Sequence, residues 1–394
     1  MKHDLLNTHF PTSHDIGNFL NEYEDYDIDS LRLKANNNPH WQLLIDQKQG
    51  QQTLSQRWPS LCQVPGYLLP PLSNARQASS EATATWKAHF LHQAIGSPAS
   101  WKGLDTTGGS GVDTWAFEQC GANMTVTEPD EHLATMLHHN GQVLRQTRRV
   151  IQDKAESLQT GRFDAVFSDP SRLQNGQRVF HPNACEPNAV ALMKAWLTMS
   201  DHVLIKLSPL LDATEAERLF PQACELIWLS HNREVKELLI HVERGYNGPA
   251  KRRIVELEGA GEVRHDSPVM AGEIVDMATE PLAFLIDPYP SVLASRGVNH
   301  LASLHGLKRL HPSHSLLTAS HIPADFPGRV FRLDHKGKPI KSDAKAGFSV
   351  ISRGFPQRAD QIKSALKCTE NEERFLIATL WGNKSKGLLQ CTRV

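Results

Sequence analysis

The sequence predicts an α/β protein: a mostly parallel sheet with crossover helices, preceded by helices and followed by a small α+β part. Three observations carry this. Between about Thr85 and Glu258, short apolar runs alternate with helical windows, which is the pattern of βαβ units. A glycine turn, "DTTGGSGVDT", joins the first of those runs to a helical window, the place where such sheets bind ligands. The flanking stretches lack the alternation, so a chain of 394 residues divides into several units.

Before about Thr85 the pattern is of helical pieces broken by "NNNPH" and "VPGYLLPPLSNA". Leu43, Leu44, Leu54, Trp58 and Leu61 recur amid Gln and Lys, which suits helices packed on a larger body and shows no chemistry. The strands that follow are "WKGLD", ending at Asp105, then "NMTVTE", "FDAVFSDP" and "DHVLIKLSP". Next come "VKELLIHVE" and "KRRIVELE", separated by "RGYNGPA". No helix fits between them, so they are expected to pair antiparallel. Beyond Gly259, "PLAFLIDPYPSVLASRG" and "LASLHGLKRLHPSHSLL" read as a small mixed unit. The tail "GRVFRLD", "GFSVISRG", "ADQIKSALK", "RFLIATLWGNKSKGLLQCTRV" suits a βαββ core. The expected divisions are 1–84, 85–258, 259–328 and 329–394.

Composition bounds the partners. Lys plus Arg is 42 against 43 Asp plus Glu, so no global charge favours nucleic acid or an acidic membrane. No window has the length of a membrane span or a secretory h-region, and six scattered cysteines without a CxxC pair suit free thiols in a reducing compartment. A cytoplasmic protein is expected. Twenty histidines invite a metal reading, yet neither HExxH nor a Cys/His quartet is present, and no metal site is expected.

The turn then decides the ligand. G-x-G-x-x-G would need a third glycine, and Thr114 stands there; a Walker G-K-[ST] is also absent. What remains is a strand ending in Asp105, then Gly108, Gly109, Gly111 and Asp113, a helix, a strand, and Glu128 at its end. Glu128 is placed to accept from two ribose hydroxyls. The glycines let a ligand lie against the main chain, and Asp105 suits an ammonium. Such a ligand is S-adenosylmethionine. Asp153 follows a short apolar run and suits an adenine amino group. Asp169, before Pro170, closes the strand "FDAVFS" and can accept from an exocyclic amine, aligning its lone pair for in-line methyl transfer. Taken singly, Asp113 or Glu128 reads better as a cap or a solvated carboxylate, and Asp169 as the start of a turn. Four such stations in order on successive strand ends read as one site.

The chain resembles the bacterial class I S-adenosylmethionine-dependent methyltransferases that carry a THUMP-like domain. The resemblance runs through "QASSEATATWKA", "DTTGGSGVDT", "FDAVFSDPSR", "NACEPN" and "LIKLSPLLD", then "GLKRLHPSHSLLTA" with "DFPGRVF", and "FSVISRGFPQRADQIKSALK". It implies a seven-stranded Rossmann-like core over 85–258, a THUMP-like unit over 259–328 and a ferredoxin-like unit over 329–394. It implies cofactor roles for Asp105, Gly109, Gly111, Glu128 and Asp153, and substrate-side roles for Asp169, Pro170, Arg172, Glu186, Lys206 and Ser208. Ser171 and Arg172 depart from the usual Ala and two basic residues, with Leu173 at the second basic position. Arg172 also stands where methyltransferases of flipped bases carry an aromatic; its guanidinium could stack or hold a phosphate or carboxylate. THUMP modules elsewhere bind RNA, which points by fold analogy to an RNA base amine.

Four basic clusters give mild support to RNA: Arg145 with Arg148 and Arg149; Lys251 with Arg252 and Arg253; Lys308 with Arg309; and Lys336 with Lys338 and Lys341. Solvated faces explain them as well, and few aromatics interleave with them. Two other readings stay open: methylation of a small metabolite, and an RNA-binding protein that uses the fold without turnover.

Overall fold

The computed structural model describes residues 11–35, 38–158, 160–174, 177–179, 181–339, 345, 347–383 and 385–394. Asn36 and Asn37 of "NNNPH", Lys341, and Lys384 of the turn "GNKSKG" lie outside the described residues.

The N-terminal part is helical, as expected: α1 (Ser13–Glu22), α2 (Ile28–Ala35), α3 (Pro39–Leu54) and the single turn α4 (Leu72–Ala75). Thr12 opens α1 with a capping box to Asp15, and Asn38 caps α3 ahead of Pro39. The alternating part begins with α5 (Glu81–Ala94), β1 (Trp101–Asp105), α6 (Val112–Gln119), β2 (Ala122–Thr127), α7 (Glu131–Val143), β3 (Arg149–Ile151) and β4 (Ala165–Ser168). Phe19, Leu31 and Ile45 of the first helices pack in one apolar cluster with Leu133 and Met136 of α7. The N-terminal helices thus pack on α7. Asn140 of α7 fixes it there, accepting from Leu68 N and donating to Leu68 O at 2.8 and 2.9 Å.

A small hairpin, β5 (Leu173–Gln174) and β6 (Gln177–Arg178), precedes α8 (Ala189–Met199), β7 (His202–Leu207), α9 (Ala213–Leu219), β8 (Ala223–His231), β9 (Glu234–Glu243), β10 (Lys251–Glu258) and β11 (Glu262–Val269). The main sheet runs β11-β10-β8-β9-β7-β4-β1-β2-β3. Its five strands from β3 to β7 are parallel, and β4 is buried along its whole length, which is why it reads as one continuous apolar run. The expected seven strands are β3-β2-β1-β4-β7-β9-β8, and β10 and β11 extend them to nine.

One pairing differs from expectation. "VKELLIHVE" and "KRRIVELE" are not neighbours: β9 pairs antiparallel with both β7 and β8, and β10 pairs parallel with β8. The strand between them in space, β8, is one the sequence pattern did not single out. Its link to β9 is a two-residue turn, Asn232–Arg233, with φ of 52° and 66°, the left-handed pair that suits a tight hairpin. That local closure takes precedence over pairing across "RGYNGPA".

The second sheet uses β12 (Phe284–Pro288), β13 (Lys308–Arg309), β14 (Leu317–Ala319), β15 (Gly328–Lys336), β16 (Ser349–Arg353), β17 (Arg374–Trp381) and β18 (Ser385–Arg393), in the order β13-β14-β12-β15-β18-β17-β16. β16, the helix Ala359–Leu366, β17 and β18 form the expected βαββ unit, with β16 and β17 parallel and β17 and β18 antiparallel. Strands on either side of residue 328 share this one sheet, and β11 carries the main sheet past Glu258. Two short helices between the sheets, α10 (Pro290–Ala294) and α11 (Val298–Leu304), bury Val292 and Leu301 in a core that also contains Trp228, Ile254 and Ile286. That continuous core docks the second sheet on the first.

Candidate functional site

Register brings three of the four predicted stations, Asp105, Glu128 and Asp169, to one edge. Asp105 pairs across to Val126 on β2 and Phe167 on β4, and Ser168 to Ile205 on β7. The carboxyl ends of four parallel strands therefore carry Asp105, Glu128, Asp169 and Lys206 side by side, at a cleft of about 1400 Å³. That volume exceeds the roughly 300–1,000 Å³ of an ordinary small-ligand site. It has room for a cofactor and part of a second molecule.

The three glycines have different reasons to be glycine. A Cβ on Gly108 would lie 2.6 Å from Leu137 Cδ1 and 2.7 Å from Val126 Cγ1, and one on Gly111 would lie 2.7 Å from Leu137 Cδ2. Both are required by packing against α7 and β2, and Gly111 also has a φ of 79° at the start of α6. Only Gly109 faces the cleft without a tight neighbour: its φ is 49° and nothing stands nearer its absent Cβ than Thr107 O at 3.6 Å. The open main chain that a ligand could approach is at Gly109.

Glu128 accepts from Gly109 N at 2.7 Å and Asp130 N at 2.9 Å. Burial pushes its carboxyl up, and those backbone donors pull against the shift. Each carboxylate oxygen has a second lone pair for a ligand hydroxyl. Asp105 is buried, with Oδ1 accepting from Thr107 N at 2.9 Å and Oδ2 from the Thr114 hydroxyl at 2.6 Å. Thr114, the residue that replaces the third glycine, thus has a use of its own. Burial pushes the Asp105 carboxyl up to about 7, against the hydrogen bonds from Thr114 and Thr107.

A folded carboxyl above its ordinary 3.8 binds its proton more tightly than the unfolded chain does. Stability therefore falls as pH rises from about 4 to about 7 through this group. We expect Asp105→Asn to melt progressively higher than the parent between pH 5 and pH 8. A difference in melting temperature that stays constant with pH would refute this.

Asp169 is bound at both ends of its residue. Its N–H donates to the Thr107 hydroxyl at 2.7 Å, and Oδ2 accepts from Lys206 Nζ at 2.5 Å. Burial raises its carboxyl and the Lys206 ammonium opposes the rise. Lys206 also donates to Gln77 O at 3.3 Å. Pro170, Arg172, Glu186 and Ser208 line the same cleft, with Arg172 Nη1 donating to Ser208 Oγ at 3.1 Å. Ser171 and Glu186 exchange backbone hydrogen bonds, which brings "NACEPN" against the Asp169 turn.

Asp153 is not brought in. It is exposed just beyond β3, and the wall there is formed by Lys154, Ala155 and Glu156. Asp113 faces the cleft floor, but its Oδ2 accepts from Ser79 at 2.9 Å and its Oδ1 lies 2.8 Å from Lys87 Nζ. Lys87 is fully buried, 2.8 Å from Glu237 Oε2 as well and 2.5 Å from Ser79 Oγ. The contacts to Asp113 Oδ1 and Glu237 Oε2 lie off the hydrogen-bond axis and are ion pairs. Sequence reasoning missed Lys87, Glu237 and Thr107. Lys87 and Glu237 stand in "TATWKA" and "VKELLIHVE", whose other polar residues give no local sign that these two charges are buried.

Several cations of the basic clusters are structural, while Arg145, Arg149, Lys251 and Lys338 are exposed. Arg148 is buried against Glu118, Arg252 bonds Glu217 and Ser295 O, Arg253 grips Asp266, and Lys336 pairs with Glu280. Along the cleft wall carboxylates outnumber Lys and Arg by ten to six among the described residues. No group of three or more His, Cys, Asp or Glu side chains suited to a metal ion is found among the described residues, and no helix among them is long and apolar enough to cross a membrane.

The fold is that of a Porphyromonas gingivalis W83 protein solved as a "putative methyltransferase", which matches 96% of this chain and 97% of its own at 21% identity, with a TM-score of 0.82. Two further solved structures cover part of the chain only. A Listeria monocytogenes protein solved as a "putative class I S-adenosylmethionine-dependent methyltransferase" covers 61% of this chain and 76% of its own at 10% identity, TM-score 0.37. Magnesium protoporphyrin IX methyltransferase from Synechocystis PCC 6803 covers 42% of this chain and 79% of its own at 10% identity, TM-score 0.33. No family model matches the sequence, and no curated protein does.

Proposed function

We propose that the chain is an S-adenosylmethionine-dependent methyltransferase acting on an exocyclic nitrogen of an RNA base, in the cytoplasm. The observation that carries this is Asp169, followed by Pro170, facing the same cleft as the open main chain at Gly109 and the carboxylate of Glu128. S-adenosylmethionine, when bound, supplies an electrophilic methyl group. Glu128 would hold its ribose, with Gly109 against its backbone and Asp105 near its amino-acid end. Asp169, fixed by Lys206 and Thr107, would accept from the acceptor amine and aim its lone pair. Positioning of this kind supplies up to about 7–11 kcal/mol of a barrier. Arg172 and Glu186 would contact the acceptor, and residues 259–328 and 329–394, as THUMP-like and ferredoxin-like units, would present the rest of it. All six cysteines are free thiols, in keeping with a reducing compartment.

The excess of carboxylates in the cleft favours a second reading, in which the acceptor is a small amine-bearing molecule. Salt separates the two: RNA held through phosphates weakens steeply with ionic strength, and a small acceptor does not.

The test of the cofactor is calorimetric titration with S-adenosylmethionine and its demethylated product. Micromolar binding is expected, weakened about 10- to 150-fold in Glu128→Ala, as loss of hydrogen bonds to a charged group implies. Absence of binding in the parent would end the methyltransferase reading and leave a non-catalytic RNA-binding role.

A further inference from the structure

A second pocket, of about 500 Å³, lies in the C-terminal sheet, far in sequence from the cleft residues. Arg329, Arg353 and Arg358 line it, and no carboxylate does among the described residues. Directly behind them is Asp287, 3% exposed. It accepts from Arg353 through Nε and Nη2, both at 2.9 Å, and from Arg329 Nη2 at 2.6 Å. This fork fixes the plane of the Arg353 guanidinium and holds Arg329 beside it. One carboxylate against two guanidiniums leaves one positive charge, and the exposed Arg358 at the rim adds a second.

The backbone around these arginines is also fixed. β16 and β17 are parallel and joined by the helix Ala359–Leu366, so the pocket occupies the carboxyl end of a parallel strand where the crossover helix starts, the place at which anions meet a sheet. Gly354 turns the chain there with a φ of 66°, and a Cβ on it would lie 2.7 Å from His314 Cδ2. His314 Nε2 in turn lies 3.0 Å from the Thr379 hydroxyl and 3.1 Å from Leu380 O, while that hydroxyl is 3.1 Å from Arg353 O. The "RLHPSHSL" stretch, which metal chemistry does not explain, buttresses this loop.

We propose that this pocket binds a phosphate monoester group. Two uncompensated guanidinium charges match its dianion, and a phosphate near pH 7 carries close to two charges and three acceptor oxygens. A phosphodiester or a carboxylate carries only one charge. The site stands apart from the methyl-transfer reading and is measured without any cofactor.

The experiment is titration of the full chain with inorganic phosphate, followed by calorimetry and phosphorus NMR, for the parent and for Arg358→Ala. Arg358 is exposed and takes no part in the Asp287 cluster, so its replacement should leave the melting temperature unchanged. Saturable binding is expected, competed by sulfate, at least tenfold weaker in Arg358→Ala, and weaker at pH 5 where the dianion is lost. A 5′-phosphorylated oligoribonucleotide and its 5′-hydroxyl twin then give the source of the phosphate. Tighter binding of the phosphorylated strand, lost in Arg358→Ala, assigns a polynucleotide end; equal binding of the two strands assigns a free or small phosphorylated ligand. Phosphate binding that does not saturate, or that Arg358→Ala leaves unchanged, overturns the site.

Discussion

Replacing Asp169 with Ala should lower methyl transfer by about 10²–10⁴-fold, the range of a positioned polar group at a reacting centre. Cofactor affinity should be unchanged, because the Gly109 turn and Glu128 do not depend on the Asp169 side chain. The reason for so large an effect is geometric. Lys206 holds Oδ2 at 2.5 Å and the Thr107 hydroxyl anchors the backbone N–H at 2.7 Å, so the carboxylate is placed by both the β1 turn and β7. Its other oxygen is then available to an acceptor amine. Asp169→Asn keeps the shape but removes the charge that holds Lys206, and should lie between Ala and the parent. Single-turnover transfer of a radiolabelled methyl group from bound cofactor measures this. Full turnover in Asp169→Ala, with cofactor affinity intact, would remove Asp169 from the mechanism.

Lys87→Met is the substitution expected to cost most stability, about 3–5 kcal/mol, the range for breaking a buried ion pair by removing one partner. Methionine nearly conserves the volume, so the loss reports charge rather than packing. Without the ammonium, Asp113 and Glu237 remain buried with no ion-pair partner in contact among the described residues, and only Arg57 and Lys206 act on them from farther away. In the parent, burial tends to raise the Glu237 carboxyl, but the Lys87 ammonium, helped by Lys206 and the Thr83 hydroxyl, holds it below its ordinary range. A depressed folded value means that the stabilisation is present above the unfolded value and is lost as pH falls through the folded one. The deficit of Lys87→Met relative to the parent should accordingly shrink as pH falls below about 4.5 and be larger at pH 6 than at pH 3. Urea unfolding at the two pH values checks it; equal midpoints for parent and variant would show that the network contributes no net stability. Because Asp113 opens α6 beneath the glycine turn, a weaker cofactor affinity should accompany the loss.

How much of this was legible in the sequence follows the range of the interactions. Period and turn chemistry are local, so the strands at "WKGLD", "NMTVTE" and "FDAVFSDP" and the turn after Asp105 could be read directly. The same holds for carboxylates at strand ends: once a parallel sheet is granted, Asp105, Glu128 and Asp169 must share an edge. Asp153 is the exception: it is exposed just past the three-residue β3 and is absent from the cleft lining. β8 was missed because its partner is chosen by a two-residue turn, whose strength lies in the φ values of Asn232 and Arg233 rather than in their identities.

The sequence by itself determined the alternation of strands and helices, the glycine turn, and the order in which the acidic stations appear. Tertiary structure alone decided which charges are chemical and which are structural. Lys87, Asp113 and Glu237 come from α5, α6 and β9, and nothing in their local patterns says that they meet. Arg148 and Arg252 look like surface cations in the chain and prove to be buried partners of Glu118 and Glu217, while Arg353 and Arg329 converge on Asp287 from two other strands. A charge takes its role from the partner within a few ångströms and from the water excluded around it, and both are set by non-local packing that local periodicity does not encode.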